Sequence, residues 1–253
     1  FNQNNSITSW STDVYDYDVS VNGQNVILTA IKAFDDDSLD HINDMDGNRG
    51  FQFTTSDNNP YEIKESLGQT GSGSIVVNGE QGGSTVVSGG NQNSFFEVTK
   101  DTDLEVNNMT ITNANGTSGS VINANNASAT VKLDKVTIES GSSTGNGGVI
   151  NNTNSESFEV SNGSMSGNTS GGLGGAIYTE ADMVIKDTNF ENNTDSTGSN
   201  DIYIAGENTD LTFIVNVSSN VNSGVAGNGN INKTGNGILY LDGTNKNFTG
   251  DLN

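Results

Sequence analysis

Cysteine is absent, and histidine occurs once, at His41. Disulfide frameworks, thiolate nucleophiles and multi-histidine metal sites are thereby excluded. Positive charge is scarce: 9 Lys and Arg stand against 31 Asp and Glu, a formal net charge of −22 over 253 residues. Such a chain repels a phosphate backbone, so nucleic acid is not an expected partner. No apolar run approaches the ~18 residues of a membrane-spanning helix. The chain starts at Phe1 with neither a basic n-region nor an apolar h-region, and the expectation is a soluble, mature or trimmed chain. Proline occurs once, at Pro60, which is low for a disordered segment.

Leu, Ile, Val and Phe together make up 57 of 253 residues, or 22.5%, just above the ~20% below which a highly charged chain is expected to be disordered. Gly is 32 of 253, and Asn, Ser and Thr fill much of the rest, a composition poor for helices. A conventional globular core is hard to build from this material. The arrangement of the apolar residues resolves the difficulty.

The segments LEVNNMTI from Leu104, VKLDKVTI from Val131, FEVSNGSM from Phe158 and MVIKDTNF from Met183 align at steps of 27, 27 and 25 residues. Apolar residues fall at offsets 0, 2, 5 and 7, which describes two short period-2 strands meeting at a bend. Offset 5 relaxes to Gly163 and Thr188 in the last two units. A third strand recurs as GSVIN, GGVIN, GGAIY and SNDIY, placing Ile122, Ile150, Ile177 and Ile202 at steps of 28, 27 and 25. Three strands and three turns per unit are too few for a propeller blade of about 40 residues and match one coil of a parallel β-helix. Its interior is a narrow column needing only a few apolar residues per coil, and Asn, Gly and Asp supply the tight corners.

Upstream the register is fainter, with SIVVNG (74–79), STVVSGG (84–90) and SFFEV (94–98) reading as strands of irregular coils. The expected division is an N-terminal cap over residues 1–49 and a parallel β-helix over 50–253. Within the cap, DVSVNGQNVILTAI (18–31) alternates on both sides of Asn22-Gly23, which predicts a hairpin. Ser38, Leu39, Ile42, Met45 and Gly47 predict a short helix. Trp10, Tyr15 and Tyr17 are expected to cover the end of the column, where bare strand edges invite aggregation.

GGAIY (174–178) followed by TNFENN (188–193) resembles the paired GGAI and FxxN motifs of polymorphic outer-membrane proteins and related autotransporter passenger domains, and GGVIN (147–151) is a looser copy. Gly235-Asn236-Gly237-Ile238-Leu239-Tyr240-Leu241-Asp242-Gly243, with Asn245 and Gly250 after it, is similar to the repeat near the C-terminal side of autotransporter passengers. SNDIY lacks the glycines, and Met165 stands at the usual Phe position. The resemblance implies a right-handed parallel β-helix, exported by a bacterium through a membrane β-barrel that is not part of this chain, and displayed on the cell surface at the outer membrane or secreted. A cysteine-free, acidic composition fits that location.

Enzymatic readings find little support in the residues. β-Helix lyases tend to use an Arg or Lys base, and Arg49 is the one arginine. Asn208-Thr209-Asp210 is similar to the NTD of polygalacturonase-like hydrolases, but Leu211 follows where Gly is needed, so Asp210 reads as a turn residue before a strand. Asp35, Asp36 and Asp37, and Asp44, Asp46 and Asn48, have spacings a calcium ion uses, yet lack a bidentate closing ligand and read as solvated acidic loops. Gly227 to Thr234 approaches a phosphate loop, but Asn232 replaces the needed glycine. His41 reads as a surface residue. No catalytic, cofactor or metal residue is assigned. The expected function is adhesion to a host protein, to a neutral glycan or to another copy; a polysaccharide-degrading enzyme and a stalk without its own ligand are the alternatives.

Overall fold

The computed structural model describes residues 9–11, 16–22, 25–31, 49–53, 60–80, 82, 85–243 and 247–253. Among them there is no helix; the chain is all-β, and its parallel strands stack as a β-solenoid. The expected fold class is what the structure shows.

Three faces recur in each coil, and each carries an internal column. The first face stacks Phe96, Ile122, Ile150, Ile177, Ile202 and Val225 in direct register. The second runs through Ile75, Leu104, Val131, Phe158, Met183, Leu211 and Ile231. The third runs through Val87, Ile111, Ile138, Met165, Phe190, Val221 and Leu241. Apart from Leu241, every one of these side chains is at most 3% exposed. Fully burying an aliphatic or Phe side chain is worth about 1.5–3 kcal/mol, so a few such residues per coil stabilise a structure with a narrow interior. The stack expected of Ile122, Ile150, Ile177 and Ile202 is present, each at 0% exposure.

The corners explain the remaining composition. Between the second and third faces one residue per coil takes a left-handed conformation: Asn108, Lys135, Asn162 and Asp187, with φ of 55°, 54°, 55° and 44°. Asn and Asp tolerate that region better than most residues because their side chains bond locally. After the third face Asn113, Ser140, Gly167 and Asn192 repeat the device. Before the first face it is Gly119, Gly147 and Gly174, and in the GGAIY coil both glycines are required. A Cβ on Gly174 would come within 2.0 Å of the Ile177 carbonyl oxygen, and one on Gly175 within 2.4 Å of that of Asn200 in the next coil.

A fourth, short parallel strip that the sequence did not announce lies at the corner between the third and first faces. It pairs Asn115–Gly116, Ser142–Ser143, Thr169–Ser170 and Thr194–Asp195, and ends in an antiparallel turn to Gly198–Ser199.

Ahead of the coil, Ser9–Ser11, Asp16–Asn22 and Asn25–Ile31 form an antiparallel sheet with Asn22 opposite Asn25 and Trp10 opposite Tyr17, so the expected hairpin is present. Among the described residues the first parallel strand is Arg49–Gln52, paired with Gly73–Asn78. Tyr15, the hairpin tip at 23–24 and the expected helix over 38–47 lie outside the described residues.

Candidate functional site

Because strand side chains alternate, the residue between two interior positions faces outward, and register turns these residues into columns along the coil axis. On the first face the column reads Glu97, Asn123, Asn151, Tyr178, Tyr203 and Ala226; Asn151, Tyr178 and Ala226 are nearly covered, at 7%, 7% and 8% exposure, and Glu97, Asn123 and Tyr203 are half-buried. The Asn151 amide donates from Nδ2 to Asn123 Oδ1 at 2.8 Å. Tyr178 and Tyr203 stack with ring centroids 5.7 Å apart and planes 11° from parallel. The Tyr178 hydroxyl donates to Glu180 Oε1 at 2.6 Å, and burial followed by the Glu180 carboxylate pushes its pKa upward, so it remains a donor.

The third face carries an uncharged outer column of Thr110, Thr137, Ser164, Asn189 and Asn220, with Asn220 Nδ2 donating to Asn189 Oδ1 at 3.1 Å. The second face is charged: Lys132 Nζ lies 3.1 Å from Glu105 Oε1, and that hydrogen bond raises the lysine's pKa. Both partners are well exposed, so the pair is worth ~0–1 kcal/mol.

Inside the corner the FxxN asparagine has a structural task. Gly141 N–H donates to Asn168 Oδ1, Asn168 Nδ2 to Asn193 Oδ1, and Asn193 Nδ2 to Asp201 Oδ1, at 2.8, 2.9 and 2.7 Å. The backbone N–H of Asn168 also donates to Asn193 Oδ1, which fixes the amide's orientation. Asp201 ends this chain as an acceptor and receives Ser223 N–H at 2.6 Å on its other oxygen. It occupies the position held by Ala176 and Val149 in preceding coils, where its carboxylate is fully buried. Burial pushes its pKa up, against the donors from Asn193 and Ser223.

The chain matches no family model, no curated protein and no solved structure. The candidate site therefore rests on the geometry of this chain alone. Asp210 stands in the coil next to Asp182: its N–H donates to Asp182 Oδ1 at 2.8 Å, and its own Oδ1 accepts from Asn230 Nδ2 at 3.0 Å. Thr209 fastens the corner through hydroxyl bonds to the Ala205 and Glu180 carbonyls. Among the described residues, no group of three or more His, Cys, Asp or Glu is placed to hold a metal ion. Gly227 to Thr234 ends in the strand Asn230–Thr234, and Lys233 Nζ is bonded to the Gly235 carbonyl at 2.8 Å. Asp35, Asp36, Asp37, His41, Asp44, Asp46 and Asn48 lie outside the described residues.

Trp10, Tyr15 and Tyr17, expected to cover the column's end, drew attention away from the stacked pair in the coil. The signal was there: Tyr178 and Tyr203 each follow the stacked isoleucine of their coil, 25 residues apart.

Proposed function

We propose that this chain is an adhesin, a part of an autotransporter passenger displayed on or released from a bacterial surface. Export through a membrane β-barrel outside this chain belongs to the same proposal. The observation that carries it is the outer column of the first face, where the half-buried Asn123 amide and Tyr203 ring, each backed by a nearly covered neighbour, Asn151 and Tyr178, stand on a β ladder of ~4.8 Å interval. Amides and phenols recognise neutral hydroxyl-bearing or peptide groups, and individually weak contacts add when repeated at fixed spacing. The net charge of −22 disfavours acidic glycans, leaving a protein or neutral-glycan partner.

Beads coated with the chain are expected to bind cells or immobilised neutral glycans and proteins, and to lose that binding when Asn123 and Tyr203 are replaced by alanine. A reducing-sugar assay on pectins, xylans and host glycans is expected to stay at background. Glycan cleavage that disappears in Asp210→Ala would replace adhesion with hydrolysis.

A further inference from the structure

Asparagine followed by glycine is chemically the least durable of dipeptides. The glycine nitrogen, with no Cβ beside it to shield it, can attack the preceding carboxamide, and the reaction needs only water. Six such pairs lie among the described residues: Asn78-Gly79, Asn115-Gly116, Asn146-Gly147, Asn162-Gly163, Asn228-Gly229 and Asn236-Gly237. Attack requires a released glycine N–H and a carboxamide able to swing onto it. The hydrogen bonds of these two groups therefore decide which pair reacts.

In five of the pairs the main chain of an adjacent coil holds at least one of the two groups. Gly79, Gly147, Gly229 and Gly237 donate their N–H to the carbonyls of Asn107, Leu173, Ile204 and Val215, at 2.7, 2.9, 3.3 and 2.7 Å. The long bond at Gly229 is backed by Asn228 Oδ1, which accepts the Gly206 N–H at 2.9 Å. Asn115 Nδ2 donates to the Asn91 carbonyl at 2.9 Å. Main-chain partners of this kind cannot turn away without opening the stack of coils.

Asn162-Gly163 is held by side chains alone. The Gly163 N–H points to Thr188 Oγ1 at 3.4 Å, beyond the usual ~2.7–3.2 Å, and that hydroxyl is itself turned to the Lys186 carbonyl. Asn162 Nδ2 donates to Asp134 Oδ1 at 2.7 Å. Asn162 stands exposed at a left-handed corner, with φ of 55°, where water has access to it.

We propose that Asn162 is a site of spontaneous covalent modification, where the folded chain loses a side-chain amide through a cyclic imide with Gly163 ahead of the five other pairs. The Gly163 nitrogen gives up its proton to solvent and bonds to Asn162 Cγ; Nδ2 takes up a proton and leaves as ammonia. Water then opens the imide. Breaking the new bond to Cγ gives aspartate, and breaking the older bond to the Asn162 main-chain carbonyl carbon gives isoaspartate, whose backbone runs through Cβ and Cγ. The first product sets a carboxylate where Nδ2 now meets Asp134, and like charges so close oppose each other. The second adds a carbon to the main chain between the inward residues Val160 and Met165. Either product loosens this coil, and neither depends on what the chain binds.

Peptide mapping by mass spectrometry, after incubation of the whole chain at mildly alkaline pH, reads the loss pair by pair. In the folded chain amide loss at Asn162 is expected to run at least tenfold faster than at each of the other five pairs, whereas in the urea-unfolded chain the six are expected to react at comparable rates. Thr188→Val and Asp134→Ala each release one of the two side-chain holds. Both are expected to speed the loss at Asn162 alone, with unchanged circular dichroism. A folded chain in which another of the six pairs reacts first overturns the proposal, as does a rate at Asn162 that neither variant changes, or a tenfold lead that persists in urea.

Discussion

The side-chain amide of Asn193 joins three coils, which makes its truncation a sharp probe of the corner. It accepts from the Asn168 N–H and from Asn168 Nδ2, both at 2.9 Å, and donates to the Met165 carbonyl and to Asp201 Oδ1 at 3.0 and 2.7 Å, at a position with no solvent exposure. In Asn193→Ala the Asn168 N–H loses its partner inside the protein, at ~1–3 kcal/mol, and the carboxylate of Asp201 loses one charge-assisted bond, at ~1.5–3 kcal/mol. A total near 4 kcal/mol is a large part of the ~5–15 kcal/mol that stabilises a typical domain. For a chain of this length it lowers Tm by about 8–16 °C. Calorimetry with hydrogen exchange should show the loss concentrated in residues 150–225, because each coil touches only its neighbours. Glu191→Ala, two residues earlier and exposed, is the control and should cost at most ~1 kcal/mol. An Asn193→Ala chain melting within about 2 °C of the unmodified protein would show that the amide chain does not hold the corner.

Ile150→Asp inserts an unpaired carboxylate between Ile122 and Ile177 and is expected to cost more than ~4 kcal/mol, visible as loss of cooperative melting; an unchanged Tm refutes the stack. Asn162→Val puts a β-branched residue at φ 55° and removes the 2.7 Å bond to Asp134, so about 2 kcal/mol should be lost in denaturant titration, and no loss would deny the corner its conformational demand. The raised pKa of Asp201 means that the folded chain holds this proton more tightly than the unfolded one, so its contribution is fully present below the unfolded carboxyl range near pH ~4 and is lost as pH rises through the raised value. Tm measured from pH 4 to 7 should therefore fall more steeply, or rise less, in the unmodified chain than in Asp201→Asn; identical slopes would show that Asp201 does not titrate differently on folding.

Much of the coil could be read from four aligned octets. The offsets that predicted inward residues place Leu104, Val131, Phe158 and Met183 in one column, and the recurring isoleucines in another. The relaxed offset 5 has a physical account in Thr188, whose hydroxyl turns back to the Lys186 carbonyl at 2.9 Å, and in Gly163, where a Cβ would come within 2.4 Å of the Val136 carbonyl oxygen. Asp201 was not legible. SNDIY looked like a decayed GGAIY, whereas Asp201 answers the amide of Asn193, a partner eight residues away whose direction depends on the coil before it. Apolar periodicity is silent on hydrogen-bond direction, and on the fourth strip, whose Asn, Ser and Thr residues carry no hydrophobic pattern at all.

The register of the second face makes the whole coil, rather than the single residue, the natural step by which this chain can change length. Excising residues 131–157 would join Thr130 to Phe158 and bring Phe158 under Leu104, where Val131 now stands, with every column still apolar. Excising one residue more or fewer would turn the next strand over and present its inward side chains to water. A gene encoding such a chain can thus lengthen or shorten its product by duplicating or losing coils, and set how far the outer columns extend without redesigning a single contact within them.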